Sequence, residues 1–158
     1  MSSPLQPTRS RDLAATVIIA GLLAYLVVRD YYGSLPAMPW TPSVALAGLA
    51  VLEGGMARAT RSRIARRPGT KPVEPLVVAR LVAVAKATAV VGAVLIGAWG
   101  GVFAYTALAR DRLAAAGRDA QVSAVGLLVA LVLVAAALWL EQACRAPDPP
   151  EDDAGFPV

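Results

Sequence analysis

Long uncharged segments alternate along the chain with short segments that carry nearly all of its charges. Apart from one lysine, Lys86, four segments hold no charged residue: 13–28, 31–52, 81–109 and 120–140. A helix needs about 20 mostly apolar residues to cross the hydrocarbon layer of a bilayer. The pattern therefore predicts an all-α integral membrane protein whose helices lie near residues 12–29, 42–60, 76–107 and 120–144.

The segments outside these helices are polar and rich in proline. Residues 1–11 and 145–158 cannot bury enough apolar surface to fold, so we predict a disordered N-terminal segment and an acidic, disordered C-terminal tail. A cleavable signal peptide is the alternative for the first apolar run. No small-residue cleavage site follows that run directly, which favours a retained helix.

Composition supports membrane insertion. Apolar residues make up 57% of the chain and charged residues 16%, whereas soluble domains average about 45–50% and about 25%. The mean hydropathy is +0.59. The excess of apolar residues therefore indicates a protein that lies in a bilayer.

The distribution of basic residues predicts the orientation. Lysine and arginine are enriched in the cytoplasmic flanks of membrane spans. With four alternating spans, the side that holds both termini and the middle loop carries ten basic residues, and the other side carries four. We therefore predict an up-down-up-down four-helix bundle in the cell membrane, with both termini in the cytoplasm.

Six of those ten residues form a cytoplasmic basic loop between the second and third helices: Arg58, Arg61, Arg63, Arg66, Arg67 and Lys71. Basic residues near a membrane attract anionic lipid headgroups, by about 1 kcal/mol each. A nucleic-acid module would need a folded basic face, and this loop has no aromatic residue for base stacking. We expect lipid contact, with a cytosolic acidic partner as the alternative, and no nucleic acid.

Two charged residues, Glu53 and Lys86, lie inside predicted spans, where charges are costly and are usually paired or functional. Both lie roughly 7 to 9 Å from the cytoplasmic boundary, at 1.5 Å per helical residue. We predict an intramembrane ion pair between the second and third helices. The alternatives are an unpaired, protonated Glu53 beside a snorkelling Lys86, and a titrating transport site.

Small residues recur at helical spacing in the third helix, at Ala93, Gly97 and Gly101. Small residues four positions apart let helices approach closely in lipid. This stripe lies on the same predicted face as Lys86, so we expect it to form a packing site for another helix, for a second copy of the chain or for another membrane protein.

Residues for catalysis are scarce. The chain has no histidine and a single cysteine, Cys144, and its acidic residues lie mostly in loops. Neighbouring positions supply no set of nucleophile, base and metal ligands. We predict no enzymatic activity, no catalytic residues, no metal site and no cofactor.

Four stretches resemble a known family: TRSRDL, RDYYGSLPAMPW, RRPGTKPVEPLVVARLVAVAKATA and AAALWLEQACRAPDPPEDD. They are similar to the small actinobacterial membrane proteins catalogued as domain of unknown function 3180. The resemblance covers nearly the whole chain. It implies a multi-pass membrane protein, often encoded beside folate-biosynthesis genes, and supplies no catalytic residues.

Two functions remain as hypotheses. The first is a structural or accessory membrane protein without catalysis of its own. The second is a small oligomeric transporter that uses Glu53 and Lys86, linked through the resemblance to folate or pterin metabolism. Transport requires a polar path at mid-membrane, and two charges near one interface provide little of it.

Overall fold

The computed structural model describes residues 10–64 and 75–144, which form four α-helices joined by short connections. The helices are α1 (Ser10–Tyr31), α2 (Thr41–Ile64), α3 (Pro75–Ala109) and α4 (Ala116–Ala143). No strand occurs in these ranges, so the all-α prediction is confirmed. Each helix begins and ends within four residues of its predicted position. The predicted disordered tails lie outside the described residues, apart from Ser10 and Arg11.

The helices do not pack in the order of the sequence. Among the described residues, α3 packs against α1 on one side and α4 on the other, and α2 packs against α4. The antiparallel packing of α2 on α3 that the sequence predicted is therefore not extensive. The spatial order across the molecule is α1, α3, α4 and α2.

Residue pairs at the interfaces give the relative directions of neighbouring helices. Gly97 of α3 contacts Val17 and Gly21 of α1, and Gly101, one turn later, contacts Gly21 and Tyr25. The residue numbers rise together, so α1 and α3 run parallel. Between α3 and α4 the numbers run in opposite directions: Gly92 lies beside Val134, whereas Trp99 lies beside Gly126. These two helices are antiparallel.

Small side chains fill the interior, and large apolar side chains cover the outside. Ala57, Ala85, Ala89 and Ala137 are fully buried. Many leucine, isoleucine and valine side chains are more than half exposed, for example Leu22, Val44, Val51, Leu128 and Val132. Such a surface is unfavourable in water but suits a hydrocarbon solvent, in which close backbone packing holds helices together.

Three of the described helical segments are long and apolar enough to cross a membrane: Ser10–Ser34, Leu76–Ala109 and Ala116–Ala143. The sequence predicted a fourth span near 42–60, and α2, with 24 residues, is long enough but not apolar enough to meet the same requirement. The physical reason is that Glu53, Arg58 and Arg61 interrupt its apolar part. The described residues thus support three apolar spans and one less apolar helix.

Candidate functional site

Glu53 lies on the buried face of α2. Ala50, Glu53, Ala57 and Thr60 are all buried and recur three or four residues apart, so they share one side of the helix. Because α2 packs on α4, this side faces α4. Only 2% of Glu53 is exposed, and neither carboxyl oxygen has a hydrogen-bond partner. The acidic group is therefore enclosed between helices.

Neither carboxyl oxygen of Glu53 has a hydrogen-bond partner, and the ion pair of Glu53 with Lys86 stays a prediction. The prediction assumed that helices consecutive in sequence pack together, whereas α2 packs on α4 and has little contact with α3.

Another buried acid, Glu141 of α4, follows a cluster of buried side chains to which α2 also contributes. Ala57 of α2, Ala85 of α3 and Leu140 of α4 form one cluster of buried side chains, which we call the three-helix cluster. Lys86 follows Ala85, and Glu141 follows Leu140 and is only 5% exposed. Each of the three helices thus brings one charged residue to the neighbourhood of this cluster.

The sequence did not single out Glu141, which directly follows the uncharged segment 120–140. Helical phase was the available signal. Glu141 lies four residues after Ala137, which is fully buried, so both residues share one face of α4.

Two members of the small-residue stripe, Gly97 and Gly101, pack against α1 of the same chain. The Cα of Gly101 approaches the backbone of Gly21 and Tyr25, and a Cβ atom at Gly97 would lie 2.7 Å from the Cβ of Ala20. Ala93 is 1% exposed. Helix α1 therefore covers both glycines, which leaves no free surface there for a second protein.

An apolar groove lies between α2 and α3 on the outside of the molecule. It encloses about 580 Å³. Its walls are almost entirely apolar, and they include Leu46 and Leu49 of α2 with Leu95, Trp99 and Val102 of α3. A groove of this chemistry accommodates hydrocarbon chains and has no polar group with which to orient a charged substrate.

A polar contact lies at the other end of α4 from the three-helix cluster. The hydroxyl of Tyr32 donates a hydrogen bond of 2.7 Å to the carboxyl of Asp119, in the first turn of α4. The ring of Tyr32 packs against Tyr105 at 5.4 Å between centroids, and Tyr105 packs edge-on against Tyr25. The contact ties the end of α1 to the start of α4, two helices that otherwise have little contact.

Nothing in the local sequence pattern predicts this contact. Tyr32 and Asp119 lie 87 positions apart. Only the packing of α1 on α3, and of α3 on α4, brings them together.

Tyr32→Phe should lower the free energy of unfolding by about 1 to 3 kcal/mol, because the buried carboxyl of Asp119 loses a hydrogen-bond donor. A double-mutant cycle with Asp119→Ala, which removes the acceptor, measured by unfolding in mixed micelles, should show coupling of similar size. Tyr31→Phe is the matched control, since Tyr31 is 63% exposed, and it should change stability by less than about 0.5 kcal/mol. Purely additive losses in the cycle would show that the hydrogen bond contributes nothing.

Comparison with protein-family models identifies the chain. The model described as "Protein of unknown function (DUF3180)" matches residues 13–148. The chain belongs to the DUF3180 family. No curated protein and no solved structure matches it. The match begins at the start of α1 and extends past the end of α4, so all four helices of this DUF3180 protein belong to the family domain.

The basic loop of the DUF3180 protein begins within α2. Arg58 and Arg61 are exposed near its C-terminal end, and Arg63 falls inside the helix. The remaining predicted members, Arg66, Arg67 and Lys71, lie outside the described residues. Arg58 and Arg61 thus present their charges on the outside of the molecule, and Arg58 directly follows Ala57 of the three-helix cluster.

Cys144, which directly follows α4, belongs to the three-helix cluster of the DUF3180 protein and is 7% exposed. Burial raises the pKa of its thiol and so lowers the fraction of reactive thiolate. Within residues 10–64 and 75–144, no three histidine, cysteine or acidic side chains are grouped so that they could hold a metal ion.

Proposed function

We propose that the chain is a multi-pass protein of the cell membrane that crosses the bilayer four times, keeps both termini in the cytoplasm and acts as a structural or accessory subunit. The observation that carries this proposal is the distribution of side chains. Alanine and glycine fill the helix contacts, and large apolar side chains cover the outside. In such a chain, close packing of small residues holds the helices together, and the outer apolar surface can contact lipid and other membrane helices.

The position of α2 supports a fourth crossing although α2 is less apolar than the other helices. Near its start, Pro42 and Leu46 line the apolar groove together with Trp99 and Val102 of α3. Near its end, Ala57 lies in one cluster with Ala85 of α3. The 15 residues from Pro42 to Ala57 rise about 22 Å and follow α3 through the same depth.

Cysteine accessibility in intact cells tests the topology. In a Cys144→Ser background, a membrane-impermeant maleimide should label Gly33→Cys and Gly117→Cys from outside, since both glycines are exposed in the structure. It should label Gly69→Cys and Gly155→Cys only after the membrane is permeabilised, because basic segments stay in the cytoplasm.

The same variants separate the alternatives. If α2 does not cross the membrane, Gly69→Cys and Gly155→Cys will both be labelled in intact cells. If the orientation is reversed, Gly69→Cys and Gly155→Cys will be labelled in intact cells, and Gly33→Cys and Gly117→Cys will be labelled only after permeabilisation. Either outcome contradicts the proposed topology.

Affinity purification in mild detergent tests the accessory role. One membrane protein should co-purify at a constant ratio, and its level in the cell should fall when this chain is absent. If the chain purifies alone, and its loss leaves the levels of the other membrane proteins unchanged, the accessory role is wrong.

The second candidate is a small oligomeric transporter, and the enclosed, unpartnered carboxyl of Glu53 favours it. Buried ionisable groups inside membrane helices commonly mark ion pathways. A Glu53→Gln protein that folds and keeps its partner but loses an uptake phenotype would favour transport over the accessory role.

A further inference from the structure

A second cavity adjoins the apolar groove, between the connection that joins α1 to α2 and the connection that joins α3 to α4. It encloses about 360 Å³, and its lining comes from the segment 32–38, from residues 113–115 and from Asp119 in the first turn of α4. We call this cavity the loop pocket. Met38 lines both cavities, so the loop pocket continues into the apolar groove.

The two cavities differ in chemistry. The walls of the apolar groove are almost entirely apolar. The lining of the loop pocket includes Tyr32 and Asp119, and Asp119 is the only charged residue among the described residues that line it. Asp119 is 7% exposed, so its carboxyl is held inside the pocket and not in open solvent. Together the cavities form one site with an acidic end and an apolar end.

The carboxyl of Asp119 has room for further hydrogen bonds. The hydroxyl of Tyr32 donates one hydrogen bond of 2.7 Å to its Oδ2 atom. A carboxylate offers about four acceptor positions, and it has no donor of its own. A ligand that complements this end must therefore bring donors. A positively charged donor complements an acid best, because charge-assisted hydrogen bonds are the stronger ones.

The two cavities follow each other in the same order as the headgroup and the chains of a lipid. The loop pocket lies among the connections, outside the long helices. From there the apolar groove runs along α2 from Pro42 to Leu49 and along α3 from Val102 back to Leu95, and each stretch rises about 10 Å. One leaflet contributes about 15 Å of hydrocarbon. The groove therefore lies beside the acyl chains, and the loop pocket lies near the headgroups.

We propose that the loop pocket and the apolar groove form one binding site for a phospholipid with an ethanolamine headgroup. The ammonium group of the lipid donates a hydrogen bond to the carboxyl of Asp119, and one acyl chain lies in the groove between α2 and α3. The lipid enters from the leaflet next to the two connections. The proposal goes beyond the accessory role and does not depend on it.

Lipid competition, measured by native mass spectrometry of the purified full-length protein, tests the headgroup. Three phospholipids with the same acyl chains and with ethanolamine, choline or glycerol headgroups are supplied at equal concentration. Choline is cationic but has no N–H donor, and the glycerol lipid has hydroxyl donors but a net negative charge. The ethanolamine lipid should be bound about tenfold more than either, the factor expected for one hydrogen bond to a charged group.

Three variants assign the preference to the carboxyl of Asp119. Asp119→Ala removes the acceptor and should abolish the preference for ethanolamine. Tyr32→Phe removes the same internal hydrogen bond but keeps the carboxyl in the pocket, so the preference should persist. Asp111→Ala is the matched control, because Asp111 is an exposed acid in the connection between α3 and α4, and it should also keep the preference.

Other outcomes overturn the proposal. Equal binding of the three lipids, or a preference for choline or glycerol, would show that the loop pocket does not select an ethanolamine group. An unchanged preference in Asp119→Ala would show that the selection occurs elsewhere on the protein.

A variant of the groove guards against loss of the fold in Asp119→Ala. Ala98 lines the apolar groove, so Ala98→Phe places a large side chain where the acyl chain should lie, and it should lower the binding of the ethanolamine lipid several-fold. Unchanged binding would show that the groove holds no acyl chain and would also overturn the proposal. The measurement involves no partner protein, so failure of the lipid site and failure of the accessory role are distinguishable.

Discussion

Gly101→Ala is expected to lower the free energy of unfolding by about 1 to 3 kcal/mol, the usual cost of overpacking a close contact. A Cβ at this position would meet the carbonyl oxygen of Gly21 and would lie 2.9 Å from the backbone nitrogen of Tyr25. Backbone atoms cannot rotate away, so α1 must move off α3. Reversible unfolding in mixed detergent micelles measures the loss.

Gly100→Ala is the matched control on the same helix. A Cβ there has a single neighbour, the side chain of Leu127 at 4.0 Å. The substitution should leave stability unchanged or raise it by up to about 1 kcal/mol, because alanine favours helix more than glycine does. Equal losses for Gly100→Ala and Gly101→Ala would mean that helix flexibility matters here and that the close approach of α1 does not.

Leu140→Ala is expected to cost about 2 to 5 kcal/mol, the range for a large side chain removed from a well-packed core. Leu140 is fully buried and lies in the three-helix cluster, so its removal leaves a cavity where α2, α3 and α4 meet. The same unfolding assay measures the effect.

Leu128→Ala on the same helix is the control for Leu140→Ala. Leu128 is 61% exposed on the outside of the molecule. In lipid its truncation removes few protein contacts, so the change should stay within about 0.5 kcal/mol. A large loss at Leu128 with little change at Leu140 would indicate that the outer apolar surface is covered by another protein and that the cluster is loosely packed.

Both pairs of variants test whether close packing between helices stabilises this protein. Helices in a bilayer gain little from the hydrophobic effect when they associate, since lipid tails are as apolar as leucine. Stability must then come from close contact at small residues such as Gly97 and Gly101, and from the few large side chains, such as Leu133 and Leu140, that fill the gaps between helices.

Part of the candidate site could be predicted from the sequence. The place of Glu53 inside the second predicted helix, and the packing role of Gly97 and Gly101, followed from the charge pattern and from the spacing of small residues. The partners did not follow. The glycines contact α1, Glu53 faces α4, and Tyr32 reaches Asp119 across 87 positions. None of these pairings can be recognised from the residues near either partner in the sequence.

The sequence alone determined that the chain forms four helices and that large apolar side chains belong in lipid, because both properties follow from runs of uncharged residues and from helical periodicity. Only the tertiary structure decided that α2 packs on α4, that α1 occupies the glycine stripe and that Glu53 is left without a hydrogen-bond partner. In a hydrocarbon solvent every apolar helix face is solvated about equally well. Which helices pack together therefore depends on the steric fit of their small and large side chains.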